Sequence, residues 1–500
     1  MTIDNEAIGA PPSLVVENLR VRAGDSVLLA PISLTLHSGR ALTIVGETGA
    51  GKSLLAQALM GNLPAGLIAE GRVFLGETEL LSLPASKRRR LWGRAMTLLP
   101  QEPWLALDPL MRVRAQISET WRYVAGLARR DARAAAEADL ERLGISQAGA
   151  QLPMTLSGGM AQRAAFAAAR AGGAPLTLAD EPTKGLDAAR RDDIATLLRD
   201  TLARGGSLLT ITHDIEVARR LGGDLLVVRG GRVLEQGPVE AVLESPRSDY
   251  ARALIEATPE RWPVTPPLPS RPPEKREKPV LSAHRLSVAR GGRTLFRDVS
   301  LSLYPGEIVG IKGPSGSGKS TLGDLLLGLL PPDEGRVERC ETLSPTRFQK
   351  LYQDPPAAMA PWWTLGLLLK DLTRRHRLDH SHIEALMARL GLDAALLKRR
   401  PGAVSGGELQ RFAILRALLL KPALLFADEP TSRLDPITQR DTLALLTALA
   451  REQGCALVLV SHDDALIERL CDRTLTLTQA LPDRSTSEGQ ARQPSAKKRR

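Results

Sequence analysis

The sequence is poor in three features, and each scarcity excludes a class of protein. Aromatic residues make up 3% of the 500 residues, too few for a surface that stacks single-stranded bases. Cys340, Cys455 and Cys471 have no CxxC spacing and are odd in number, so the sequence supports neither a zinc site nor a disulfide scaffold. Such sparse cysteines fit a reducing compartment best. No apolar run approaches the roughly 18 residues of a membrane helix, so a membrane role would require a partner.

The charge is unevenly distributed along the chain. The 67 basic and 56 acidic residues leave a net charge of +11, which is compatible with nucleic acid, anionic lipid or an anionic small ligand. Two basic clusters, SKRRR from Ser86 and AKKRR from Ala496, are as consistent with solvated surface as with binding. The opening MTIDNEAIGAPPS has acidic residues and no apolar core, so we expect no secretory signal there.

A long internal repeat organises the sequence. The matching pairs are LSGGMAQR from Leu156 and VSGGELQR from Val404, LTLADEPTKGLD from Leu176 and LLFADEPTSRLD from Leu424, and LLTITHD from Leu208 and LVLVSHD from Leu457. The signature serine and the strand-end aspartate are 23 residues apart in both copies, Ser157 to Asp180 and Ser405 to Asp428. Two domains of similar construction are therefore expected.

The front parts of the two copies differ in length. Lys52 and Gln101 are 49 residues apart, whereas Lys319 and Gln353 are 34 apart. We expect the 15 extra residues to form a fuller strand pair and loop around EGRVFLGETELLSLPASKRRR. The predicted organisation is a first domain at 14–257 with a C-terminal extension, a proline-rich linker at 258–280, a second domain at 281–478 and a disordered basic tail at 479–500.

Both copies contain the pattern G-x-x-x-x-G-K-[ST] between a strand-like and a helix-like segment, which predicts a phosphate-binding loop. In such a loop, glycines let amide groups face phosphate oxygens at a helix N-terminus, the lysine reaches the β and γ phosphates, and the serine binds magnesium. The loops are Gly46, Glu47, Thr48, Gly49, Ala50, Gly51, Lys52 and Ser53, and Gly313, Pro314, Ser315, Gly316, Ser317, Gly318, Lys319, Ser320 and Thr321.

The segments LTLAD and LLFAD are typical of buried parallel strands that end in a carboxylate. Asp180 and Asp428 are expected at the carboxyl edge of each sheet, near Mg²⁺. The following Glu181 and Glu429 are candidates to polarise the attacking water.

In both copies an LSGG-type signature lies between the phosphate-binding loop and the strand that ends in Asp180 or Asp428, here called the acid strand. Together these motifs resemble those of ATP-binding cassette (ABC) ATPases, over roughly 14–257 and 281–478. The resemblance implies an α/β fold with two P-loop NTPase (ABC-type) domains in tandem. Each would have a RecA-like parallel-sheet core, an antiparallel β subdomain and a helical signature subdomain. It also implies an ATPase that uses ATP and Mg²⁺.

The resemblance further implies composite sites in which each signature completes the site of the other domain, head to tail. Ser157, Gly158 and Gly159 would face the nucleotide held by Lys319, and Ser405, Gly406 and Gly407 that held by Lys52. By position, Gln101 and Gln353 are similar to the family's magnesium-sensing glutamines, Asp187 and Asp435 to its D-loop acids, and His213 and His462 to its switch histidines.

The peptide, nickel and opine importer branch is the part of the family that this sequence resembles more closely. This similarity rests on SGGMAQR, PQEPWLALDP, YQDPPAAMAP and the SPRSDYARALIEATP segment after the first domain. It implies two membrane-spanning permease subunits and, through them, an extracytoplasmic solute-binding protein. The chain would lie at the cytoplasmic face of the inner membrane as a peripheral subunit, touching the membrane only through the permease and without direct nucleic acid. The solute is left open.

The sequence departs from the family pattern at the aromatic residue that usually stacks on adenine. Ala23 and Arg290 stand at this position. Arginine can stack through its guanidinium, whereas alanine cannot, so the first site is expected to hold adenine more loosely. Trp362 and Trp363 lie where a permease contact is expected, and core packing is an equally good interpretation of them.

Two other functions compete with import. A tandem ABC ATPase that acts on ribosomes or nucleic acid would suit the basic charge, but the similar ribosome-acting family has a long charged helical linker, and this one is short and proline-rich. Fused sugar-importer ATPases resemble the chain in length but typically have one degenerate site. The matched motifs here favour two competent sites.

Overall fold

A computed structural model describes residues 14–47, 51–101, 106–183, 188–264, 278–291, 293–314, 316–431 and 434–478. The predicted tail at 479–500 and most of the predicted linker lie outside these residues. The chain forms two compact units, built mainly from the residues before and after the linker.

The first half contains ten strands and nine α-helices among its described residues. Its strands are β1 Leu14–Ala23, β2 Ser26–Leu36, β3 Ala41–Gly46, β4 Leu67–Leu75, β5 Thr78–Glu79, β6 Met96–Leu99, β7 Leu176–Asp180, β8 Ser207–Ile211, β9 Asp224–Arg229 and β10 Arg232–Pro238. Its helices are α1 Lys52–Met60, α2 Ala85–Arg89, α3 Val113–Tyr123, α4 Arg129–Arg142, α5 Gly158–Arg170, α6 Ala188–Ala203, α7 Ile215–Leu221, α8 Val239–Glu244 and α9 Asp249–Glu256.

Two sheets frame the first half. A four-stranded antiparallel sheet has the order β2-β1-β4-β5, and a six-stranded sheet has the order β10-β9-β3-β8-β7-β6, in which only the β10–β9 pair is antiparallel. Every residue of β3, β7 and β8 is buried, which explains why these strands are apolar runs rather than alternating ones. Because they are parallel, their carboxyl ends meet at one edge of the sheet.

The core of the first half has two main parts. One lies around α1 between the two sheets and includes Leu14, Ile44, Leu55 and Leu178. The other joins the sheet to the helical region, where alanines of α5 pack with the apolar faces of α3 and α4. The first core therefore supports the phosphate loop before α1, and the second supports α5, the helix that begins at the signature.

The second half repeats this plan with fewer elements. Its strands are β11 Leu281–Arg290, β12 Arg293–Leu303, β13 Ile308–Lys312, β14 Glu334–Arg339, β15 Phe348–Leu351, β16 Leu424–Asp428, β17 Ala456–Val460 and β18 Arg473–Thr476. Its helices are α10 Lys319–Leu327, α11 Leu365–His376, α12 His380–Arg389, α13 Gly406–Leu418, α14 Pro436–Glu452 and α15 Asp464–Leu470.

The sheets of the second half are smaller. A three-stranded antiparallel sheet has the order β12-β11-β14, and a five-stranded sheet, β15-β16-β17-β13-β18, is parallel throughout. Among its described residues, the second half has no counterpart of β5, α2 or β10. The predicted fuller strand pair in the first copy is confirmed by the pairing of β4 with β5, and the segment after it contains the short helix α2, which the prediction of a loop did not include. The α/β class is confirmed in both halves.

The first half continues into the extension formed by α8 and α9. Tyr250 and Leu254 are buried in a cluster with β9, as expected for a packed extension. Glu235 of β10 anchors it: its carboxylate accepts hydrogen bonds from the backbone amide of Arg247 at 2.9 Å and from the amide and hydroxyl of Ser248 at 3.0 and 3.1 Å. Within the described ranges, no helix is long and apolar enough to cross a membrane.

Candidate ATP-binding sites

The phosphate loop of the first half connects the end of β3 to the start of α1. Gly51 precedes α1 in the left-handed region, with φ of 80°. A Cβ built at Gly46 would lie 2.0 Å from the carbonyl oxygen of Val228, so glycine is needed there for close packing. Thr48, Gly49 and Ala50 lie outside the described residues.

The phosphate loop of the second half has the same construction between β13 and α10. Gly313 and Gly318 have φ of 149° and 92°, and a Cβ at Gly313 would lie 2.6 Å from the carbonyl oxygen of Leu477. Gly316 also has a positive φ, Ser317 is buried, and Ser315 is outside the described residues. In both halves the predicted strand–loop–helix context is confirmed.

The two loop lysines are buried and held by the loops themselves. Lys52 Nζ donates to the carbonyl oxygens of Gly46 at 2.8 Å and Glu47 at 2.6 Å. Lys319 Nζ donates to those of Gly313 at 2.8 Å and Pro314 at 3.1 Å. Burial lowers the pKa of Lys52, while the carboxylate of Glu181 opposes this shift. Each lysine is therefore a desolvated donor at the mouth of a helix N-terminus, suited to an anion.

The two candidate catalytic glutamates share an unusual backbone conformation. Glu181 and Glu429 have φ of 49° and 47°, the left-handed region that non-glycine residues rarely adopt. Their amides donate to the carbonyl oxygens of Ile211 at 2.7 Å and Val460 at 3.1 Å, which continues the parallel pairing by one residue. The same strained turn thus follows the acid strand in both halves, as is common at active sites.

Each glutamate faces the predicted switch histidine. His213 Nδ1 lies 2.8 Å from Glu181 Oε2, and His462 Nε2 lies 2.5 Å from Glu429 Oε1. In the second half, Gln353 Nε2 also donates to Glu429 Oε2 at 2.7 Å. Gln101 follows β6 at the matched position and is half-buried. Glutamate and histidine are therefore brought together twice, and the glutamine joins them in the second half.

The predicted metal ligands provide oxygen donors at the same edge of each sheet. Asp180 and Asp428 are buried at the ends of β7 and β16. Burial raises the pKa of Asp428, while a hydrogen bond from Ser320 and the charge of Lys350 act in the opposite direction. Ser53 follows Lys52 in α1, as Ser320 follows Lys319 in α10. A buried carboxylate bonded to a serine hydroxyl fits Mg²⁺, which usually takes one or two carboxylates together with substrate phosphates.

The signature residues open a helix in each half. Ser157 caps α5, with its Oγ accepting from the amide of Met160 at 3.4 Å, and Gly158 and Gly159 form the first turn. Ser405 precedes α13, whose first residues are Gly406 and Gly407. The pairing of each signature with the loop of the other half stays a prediction.

The predicted D-loop acid of the second half, Asp435, accepts hydrogen bonds from the amide and hydroxyl of Thr438 at 3.1 and 2.8 Å. It precedes α14 and is buried. Asp187 lies outside the described residues.

The adenine-side residues lie at the ends of equivalent strands. Ala23 ends β1 and Arg290 ends β11. The Arg290 guanidinium donates to the carbonyl oxygen of Ala289 at 2.8 Å and lies 3.4 Å from Asp333 Oδ1. Stacking on a base would therefore require Arg290 to reorient.

The two tryptophans before α11 are on the surface. Trp362 is 78% exposed and Trp363 is 47% exposed, so core packing is the wrong interpretation of both. Leu367 of α11 is exposed as well, at 51%. Large apolar side chains clustered on a surface are typical of an interaction site.

Sequence reasoning missed one contact that ties the signature helix to the acid strand. Gln162 of α5 is buried, and its Nε2 donates to the carbonyl oxygen of Pro182, next to Glu181. Gln410 is buried at the matched position of α13, but its Nε2 has no hydrogen-bond partner among the described residues. The repeated glutamine in SGGMAQR and SGGELQR is the signal that could have suggested this role.

Comparison with known proteins decides the family. The family model for "ABC transporter" matches residues 29–184 and again 296–432. This chain belongs to the ABC transporter family. It contains two tandem ABC domains and is an ATP-binding ATPase of the ABC type.

Its relatives match over nearly their whole length. The "Uncharacterized ABC transporter ATP-binding protein YejF" of Escherichia coli K12 is 32% identical over 503 residues, which cover 93% of this chain and 94% of the relative. The "Glutathione import ATP-binding protein GsiA" of the same strain is 33% identical over 535 residues, covering 95% and 86%. A solved structure of "RNase-L Inhibitor" has a TM-score of 0.62 at 21% identity, covering 92% and 87%, and at that identity shows the fold alone.

Proposed function

We propose that this chain is the ATP-hydrolysing, energy-coupling subunit of an ABC importer for a solute of the peptide, nickel or opine type. The observation that carries the proposal is that each half has a buried loop lysine, a buried strand-end aspartate and a glutamate that faces a histidine. The relative named for glutathione import, matched over 86% of its length, supports an importer assignment, and the one named YejF supports an ABC transporter ATP-binding role.

The reaction is hydrolysis of the terminal phosphate bond of ATP by water. Lys52 and Lys319 exchange their bonds to loop carbonyls for bonds to phosphate oxygens, which costs little because both nitrogens are already desolvated. Glu181 and Glu429 accept a proton from the attacking water, and His213 and His462 hold the terminal phosphate. Mg²⁺ bound by Ser53 and Asp180, or Ser320 and Asp428, together with Gln101 or Gln353, would neutralise phosphate charge.

The two sites are proposed to act as composite sites. Each signature serine stands at the start of a helix, so its hydroxyl lies at a positively polarised terminus. Such a terminus is suited to the phosphates of a nucleotide held by the loop of the other half. ATP binding would then draw the halves together, and hydrolysis would release them.

The partners are proposed to be two membrane-spanning permease subunits and, through them, an extracytoplasmic solute-binding protein. Trp362, Trp363 and Leu367, here called the tryptophan surface, are the proposed contact with one permease subunit. Exposed tryptophans are favoured anchors because they bury a large area with few rotatable bonds. The chain would then be a peripheral subunit on the cytoplasmic face of the inner membrane.

Co-expression with candidate importer permease subunits from the same genome tests the proposal. Wild-type chain should co-purify with the permease, and the solute-binding protein should stimulate ATP hydrolysis in the assembled complex. Trp362→Ala with Trp363→Ala should abolish both while leaving ATP binding by the isolated chain unchanged. Leu329→Ala, an exposed apolar residue outside this surface, is the control. Co-purification of the tryptophan variant at wild-type levels would contradict the proposed contact.

The second candidate is a tandem ABC ATPase that acts on ribosomes or nucleic acid. The net charge of +11 favours it. Nucleotide-dependent sedimentation with ribosomes, in a chain that fails to bind the permease, would replace the importer proposal with this one.

A further inference from the structure

A cleft of about 790 Å³ opens in the second half, away from the residues of the predicted ATP site. Four separate segments form it: the start of β15, the end of α11, the start of α12 and the turn after α13. Its polar lining is unusually rich in basic side chains, and we call it the basic cleft, defined by Arg347, His376, Arg377, Asp379, His382 and Lys421. The volume is in the range of small-molecule sites.

The permanent charge of the basic cleft is positive. Arg347, Arg377 and Lys421 contribute three cations, and Asp379 is the single carboxylate among the defining residues. That carboxylate is already engaged, because it accepts hydrogen bonds from the amide and hydroxyl of Ser381 at 3.3 and 2.5 Å where it caps α12. It therefore leaves most of the cationic charge available to an anion.

Two nitrogens of the basic cleft are buried without a hydrogen-bond partner in the part of the chain that the structure describes. They are Nε2 of His382 and Nε of Arg347. Buried polar nitrogens are almost always bonded in folded proteins, so both have unused bonding capacity. Each is closed to solvent in this structure and would meet an anion only after its side chain turns toward the cleft. An anionic oxygen would satisfy either nitrogen when it carries a proton.

The backbone places two of the cations at positions that normally favour glycine. Arg377 and Lys421 have φ of 52° and 47°. This left-handed conformation costs energy for a residue with a Cβ. The N-terminus of α12, which begins at His380, adds a positively polarised helix end beside them.

The first half lacks these cations at the matched positions. Strand pairing aligns Phe348 and Leu424 with Met96 and Leu176, so Arg347 corresponds to Ala95 and Lys421 to Gly173. His376 lies 23 residues after Gln353, as Val124 lies 23 after Gln101.

The equivalent corner of the first half is closely packed. A Cβ at Gly172 would lie 2.0 Å from the carbonyl oxygen of Gly93, and one at Gly93 would lie 2.8 Å from Val124 Cγ1. Small and apolar residues thus stand in the first half where the second half has Arg347, His376 and Lys421, although Arg129 and Arg130 stand where it has Ser381 and His382.

We propose that the basic cleft binds a phosphate-bearing anion, as a site separate from ATP hydrolysis and without an equivalent cleft among the described residues of the first half. Arginine and lysine supply charge-assisted donors that suit phosphate oxygens, and His382 and the α12 terminus supply further donors. The phosphate group belongs either to a free anion or to a lipid headgroup, and both present the same oxygens to the cleft.

Equilibrium dialysis of the full chain against radiolabelled inorganic phosphate tests the site. The cleft variant is Arg347→Ala with Lys421→Gly, which installs the first-half residues and removes backbone strain at 421. We expect it to bind the cleft phosphate about tenfold more weakly, because two charged donors are lost. The matched control, Lys370→Ala with Arg374→Ala, removes the same charge from exposed positions of α11 and should bind like wild type.

Vesicle flotation distinguishes the two sources of the phosphate. Flotation with vesicles of phosphatidylcholine and phosphatidylglycerol, but not phosphatidylcholine alone, that is lost in the cleft variant would identify a headgroup. A dialysis difference without flotation would identify a free anion. Equal behaviour of wild type, cleft variant and control in both measurements would overturn the proposal. If the cleft variant does not fold, Arg377→Gly replaces it under the same criteria.

Discussion

The two halves of this chain agree in the groups that would react and differ in what surrounds them. Glu181 and Glu429 share the same left-handed turn, and each faces a histidine at 2.8 or 2.5 Å. Around these groups, one half has an added strand, helix and C-terminal extension, and the other has the basic cleft. Hydrolysis would constrain the reacting atoms in both halves, whereas the surrounding elements are under no such constraint.

The structural differences between the halves indicate which features would make the two ATP sites behave differently. The signature contact through Gln162 is made in the first half, while Gln410 leaves a buried nitrogen without a partner in the described second half. Tryptophans are exposed before α11 in the second half. The two sites are thus predicted to be equally competent but coupled to different surroundings.

The largest expected effect comes from removing one catalytic carboxylate at a time. Glu181→Gln or Glu429→Gln should each reduce steady-state ATP turnover about 100-fold or more, because a general base contributes about that much and composite sites work together. Phosphate release by the purified chain measures it. Glu384→Gln, which changes an exposed carboxylate of α12, is the control and should retain wild-type turnover. Full activity after either single substitution would contradict the prediction that both ATP sites are competent.

An intermediate effect is expected from the extension that only the first half has. Glu235→Ala should lower the free energy of unfolding of this region by about 3 kcal/mol, because several buried donors lose their acceptor. Hydrogen exchange should rise in β10, α8 and α9 and not in the second half. Glu244→Ala, at an exposed position of α8, should change stability by less than about 0.5 kcal/mol. Equal exchange in both variants would contradict the anchoring role.

The stabilising contribution of Glu235 is expected to depend on pH. Burial alone would raise the pKa of Glu235, but hydrogen bonds from Ser248 and Arg247 outweigh it and hold the pKa below the usual 4.5. Its stabilising contribution is therefore complete above that pH and is lost as the pH falls through the depressed folded-state pKa. The stability difference between wild type and Glu235→Ala should shrink on acidification below about pH 4.5. A difference that grows there would contradict the assignment.

The smallest expected effect concerns adenine. Ala23→Tyr should tighten ATP binding at the first site about fivefold, because a ring at the end of β1 can stack on the base. Titration with ATP in a Lys319→Ala background measures the first site. Val27→Tyr places the same ring elsewhere on this hairpin and should have no effect. Equal affinity of Ala23→Tyr and the unchanged chain would contradict a loosely held adenine.

Much of the fold and site could be predicted because the motifs are local and occur twice. A strand, a glycine loop and a helix predict the position of Lys52 without knowledge of distant contacts. The apolar runs that end in Asp180 and Asp428 likewise predict buried parallel strands. The exposure of Trp362 could not be predicted from the sequence, because it depends on packing between segments that are far apart along the chain.

Other features required coordinates for the same reason. The left-handed turn at Glu181 depends on where the neighbouring strand β8 ends, and no residue type signals it. The bond of Arg290 to Asp333 joins two strand-end loops 43 residues apart. The basic cleft is formed by four segments that are separate in the sequence, and no single one of them has a pattern that predicts a binding site.

Nucleotide stoichiometry tests the central claim of two complete sites most directly. The Glu181→Gln, Glu429→Gln double variant should bind ATP without consuming it, so bound nucleotide can be counted per chain after rapid gel filtration. Two ATP molecules per chain, each lost when Lys52 or Lys319 is also replaced by alanine, is the predicted result. One ATP per chain, lost with only one of the lysines, would contradict the claim.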